Sequence, residues 1–69
     1  MHHYDVLLYQ VTLINAALAD LHDAAKVLES IPEASLAVIK ISMVREELLA
    51  VRRVKQDELA KALEVSVSS

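Results

Sequence analysis

Residues 7–51 read LLYQVTLINAALADLHDAAKVLESIPEASLAVIKISMVREELLAV, and the spacing of their apolar residues decides the fold. Leu7, Val11, Ile14, Leu18, Leu21, Ala25 and Leu28 follow one another in alternating steps of four and three. That is the repeat of an amphipathic helix with a coiled-coil-like seam. A second row, Val6, Leu13, Ala17, Ala24 and Val27, widens the stripe to the breadth of a bundle face. The pattern predicts a helix over residues 4–29, with Asp5 in the first turn, where an acid complements the helix dipole.

The pattern breaks at Glu29-Ser30-Ile31-Pro32-Glu33. Proline cannot continue a helix from Leu28 but suits a first helical position, with Ile31 at the cap or Ser30 capping one residue earlier. A second stripe then runs through Ala34, Ala37, Ile41, Val44, Leu48 and Val51. It fails at the next expected places, Lys55 and Glu58, and apolar residues resume out of phase at Leu59, Ala60, Ala62 and Leu63. Two outcomes follow: a turn near residues 52–55 leading to a short third helix, or one long helix whose apolar face rolls. The tail Val65-Ser66-Val67-Ser68-Ser69 is β-branched and serine-rich, which predicts fraying.

Composition narrows the function. The 69 residues are 55% hydrophobic, which argues against disorder. They include no Gly, so no glycine-rich phosphate loop exists. The sequence has no Cys, which removes disulfides, thiolate metal sites and a cysteine nucleophile. With no glycine and a single mid-helix Asn, hairpin turns of a sheet protein are not provided for. No apolar run reaches the length of a membrane span, and Met1-His2-His3 followed by Asp5 lacks the basic start of a signal peptide. A cytoplasmic location is the expectation. The net charge of −3 is unevenly spread. Residues 1–39 hold one Lys against five acids, and residues 40–69 hold six cations against five acids.

A single hairpin leaves broad apolar faces uncovered. The expected fold is therefore all-α: a helical hairpin, residues 1–53, that pairs with a second copy into a four-helix-bundle-like homodimer. Its oligomer core would comprise Leu7, Val11, Ile14, Leu18, Leu21, Leu28, Ile41, Val44, Leu48 and Val51.

Residues 54–69, VKQDELAKALEVSVSS, resemble the middle of a helix-turn-helix of the phage-repressor type, the Cro and xenobiotic-response-element group. Gln56, Leu59, Ala60, Leu63, Val65 and Ser66 match that family's scaffold helix and turn in register. Upstream, EELLAVRRVKQ at residues 46–56 is similar to the family's first helix, with Leu48, Arg52 and Val54 in the expected places. Glu64 and Arg53 stand where the family commonly has glycine. The helix that reads bases would open near Val67, and Ser69 ends the chain. The resemblance implies a DNA-binding transcription regulator, here a dimerisation hairpin with an incomplete DNA-binding unit. Arg52, Arg53, Lys55 and Gln56 would contact the DNA backbone, weakly and without reading sequence. Further partners on this reading are a full-length regulator or another protein. The alternative is a stand-alone hairpin that serves as an oligomerisation or adaptor module. A turn at residues 52–56 favours the first, and a continuous helix from about 33 to 64 the second.

No catalytic constellation is legible. Glu46 and Glu47 are adjacent and diverge by ~100° on a helix, so they cannot share a substrate. The serines lack a His/Asp pairing. His2 and His3 read as an exposed start, and His22 with Asp23 supplies too few ligands for a metal. Neither an enzyme nor a cofactor protein is expected.

Overall fold

A computed structural model describes residues 3–68, with side chains through Glu64. Two helices form an antiparallel hairpin: α1 (His3–Leu28) and α2 (Ser35–Ser68), joined through a 3-10 turn at Pro32–Ala34. The hairpin is a rod, 56 × 17 × 14 Å.

The reversal is built as the residues around Pro32 dictate. Ile31 is extended, at φ −113° and ψ 103°, and caps the 3-10 turn without a side-chain hydrogen bond. Its amide donates to the Leu28 carbonyl at 3.0 Å, and the Ala34 amide donates to Ile31 at 3.0 Å. Ser30 turns backward, its hydroxyl donating to the Val27 carbonyl at 3.0 Å. Pro32, which has no amide hydrogen to satisfy, occupies the first position of the turn.

Every residue of the first stripe, Leu7 through Leu28, is buried or half-buried, and the stripe is the α1 side of the seam. Leu7, at 1% exposure, is the largest fully enclosed side chain. Ala25 is buried close to the turn, where a small side chain lets the helices converge.

The α2 side departs from the expected stripe. Its half-buried row is Ala34, Val38, Ile41, Arg45, Leu48, Arg52, Lys55, Leu59 and Ala62. This is an unbroken alternation of four- and three-residue steps that passes through three cations. Ala37, Val44 and Val51 lie one row outside it and are exposed. Among the described residues α2 neither turns nor breaks at 52–56, so there is no separate third helix. The backbone is helical through Ser68. Side chains with long methylene stems explain the seam. Arg and Lys can lay their stems against α1 while their charged ends reach water at the flank.

Truncating the best-enclosed residue should cost most. Leu7→Ala is expected to destabilise the hairpin by about 2–5 kcal/mol. Val54→Ala, at a position 56% exposed, should stay within about 0.5 kcal/mol. Thermal melts followed by circular dichroism at 222 nm, a standard helix wavelength, separate the two.

Candidate functional site

Two side-chain pairs fix how the helices face each other. The Arg52 guanidinium donates to Asn15 Oδ1 at 2.9 Å. His3 Nε2 lies 4.0 Å from Glu58 Oε2 in an exposed pair. Asn15 follows the seam residue Ile14 by one position, whereas His3 and Glu58 lie on the other flank of their seam rows. The two contacts therefore close opposite flanks of one seam. Antiparallel helices place like flanks together in this way.

The Arg52 flank carries a polar groove. Arg52, Arg53 and Gln56 line a shallow groove with Glu46, Leu49 and Ala50. Of the four residues expected to contact DNA, three thus share a groove, and Lys55 lies outside it on the seam. Arg52 is half-buried and tied to α1, while Arg53 and Gln56 are exposed. Glu46 stands in the same groove and offsets part of its positive charge.

Arg45 is the costliest of the seam cations. Its Nε is buried and has no hydrogen-bond partner among the described residues. The expected α2 stripe ran through Val44 and left Arg45 out. The signal that finds it is the seam spacing itself, carried from Ile41 to Leu48 through position 45.

The opposite flank is apolar along its middle, with Asp20, Lys40 and Glu47 on its outer rows and Glu58 and Lys61 toward its open end. Counting seven residues at a time up α1 from His3 gives Gln10, Ala17 and Ala24. Counting down α2 from Glu58 gives Val51, Val44 and Ala37. These two rows run side by side, with Leu13 and Val27 beyond the first and Val54 beyond the second. Val44 and Val51 are 43% and 44% exposed, and Val27 is 69% exposed. Of the expected oligomer core, Leu7, Val11, Ile14, Leu18, Leu21, Leu28, Ile41 and Leu48 line the intrachain seam. Val44 and Val51 instead belong to this open face.

No group of three or more His, Cys, Asp or Glu residues able to hold a metal occurs among the described residues. His2 lies outside them, and His22 is exposed. No described helix is long and apolar enough to cross a membrane. Comparison with protein-family models, curated proteins and solved structures finds no match.

Replacing Arg45 by Met should raise stability by about 1–3 kcal/mol, because an unsatisfied buried donor gives way to an apolar chain of similar length. Arg52→Met should change it by less than about 1 kcal/mol, since Asn15 is exposed and regains water. Melting temperatures of both variants against the parent chain test this contrast.

Proposed function

We propose that this chain is a helical-hairpin interaction module, which acts by packing its apolar flank against helices of a protein partner, a second copy included. The observation that carries this is the continuous α2, which passes through residues 52–56 as helix. A helix-turn-helix needs a turn there to set its scaffold helix across the preceding one. With the helix unbroken, Arg52 and Lys55 are drawn into the seam, away from a free phosphate-binding surface. The apolar flank supports the same reading. Contiguous exposed apolar surface bordered by charge marks protein-interaction sites.

The competing reading is a transcription regulator that holds DNA through Arg52, Arg53, Lys55 and Gln56. Titrating labelled duplexes of varied sequence at about 50 and 200 mM salt separates the two, because phosphate-driven binding collapses over that range. Weak attachment that disappears at the higher salt, or none at all, is the expected result. Tight binding to one duplex that survives the higher salt would overturn the interaction-module reading.

A further inference from the structure

We propose that the flank formed by Ala17, Ala24, Ala37, Val44 and Val51 is the contact surface for a second copy of this chain. Two hairpins would close face to face into a four-helix bundle. The proposal rests on the interaction-module reading and names its partner.

The first argument is area. A folded monomer of 7.6 kDa exposes about 4,300 Å² by the scaling of surface with mass. This hairpin exposes 5362 Å². The surplus, roughly 1,000 Å², matches what one protomer gives to a stable interface, about 800 Å² or somewhat more. Among the described residues only Leu7, Val11 and Ala25 are buried within the single chain, so a lone hairpin has a thin core.

The second argument is shape. Alanines occupy both central rows of the face, and the larger Leu13, Val27 and Val54 stand at its edges. Small residues along a helix flank let a second pair of helices approach closely. Val44 and Val51 stand between the alanines as the apolar groups that such an approach would bury.

The third is charge. On the outer rows Asp20 lies between Leu13 and Val27, and Lys40 and Glu47 precede Val54. Closed pairs of identical chains are related by a two-fold axis, so each residue meets what that axis brings to it. If the axis crosses the helices near Val44, Lys40 of one copy falls beside Glu47 of the other. If it runs along them, α2 lies over the other copy's α1, and Lys40 falls beside Asp20. Either way Lys40, the cation nearest the middle of the face, meets an acid of the other copy. A face that complements itself in both arrangements fits a copy of itself.

Sedimentation velocity across a range of concentrations tests this on the full chain, alongside Val44→Asp/Val51→Asp and Leu36→Asp. Leu36 is exposed on α2 but lies outside the face. The parent chain should sediment at twice its 7.6 kDa mass. The double variant should weaken dimerisation by at least ~100-fold, through carboxylates forced into an apolar contact, and Leu36→Asp should leave it unchanged. If the double variant loses helicity together with the dimer while Leu36→Asp keeps both, the proposal also stands, because side chains exposed in a lone hairpin contribute no core to lose. A parent chain that is monomeric throughout, or a double variant that still pairs like the parent, overturns it. A monomer that binds no specific duplex removes the second copy and leaves the interaction module intact, whereas specific duplex binding removes the module itself.

Discussion

Two helices laid side by side can shield only one stripe of each other, and that limit shapes everything else in this molecule. The stripe from Leu7 to Leu28 is spent entirely on α2. Whatever apolar surface lies outside it stays open, because there is no third element to cover it among the described residues. Larger domains escape the limit by adding layers. The described residues add none.

The seam is asymmetric in chemistry. On α1 it is apolar throughout, whereas α2 contributes Arg45, Arg52 and Lys55 within it. Cations in such positions reduce stability, since their desolvation is repaid only where a partner accepts their hydrogen bonds. Asn15 does this for Arg52. They also select an alignment, because a hairpin slipped by one heptad would part Arg52 from Asn15 and set other groups against the cations. Polar groups at seam positions fix register in coiled coils by the same means.

How much of this was legible in the sequence differs between the helices. The α1 stripe was readable residue by residue, because every one of its seam positions is apolar. The turn was readable too, since Pro32 forbids a helix through it. On α2 the reading went one row astray. Ala34, Ile41 and Leu48 belong both to the expected stripe and to the seam, but between them the apolar choices Ala37, Val44 and Val51 lie outside it. The seam takes Val38, Arg45 and Arg52 instead. Hydrophobicity alone misplaces such residues, because an arginine presents a methylene stem to its neighbour and a charge to the water. The row that was misassigned is the one left uncovered, so the error and the open face have one cause. Between a turn and a continuous helix at residues 52–56 the sequence left both open, and with no Gly or Pro there local helix preference carries the chain through.

The two helices also differ in length, 26 residues in α1 against 34 in α2. With His3 beside Glu58, residues 59–68 run on past the first described turn of α1. The two ends of the rod are therefore unequal in how firmly they are held. At one end a covalent turn joins the helices, and Ala25 and Leu28 pack beneath it. At the other, His3 and Glu58 face each other as a solvent-exposed pair at 4.0 Å. Amide hydrogens should accordingly exchange in a gradient along the rod, slowest at mid-seam and fastest toward the open end. The molecule would come apart as a zipper does, from its free end toward its closed one.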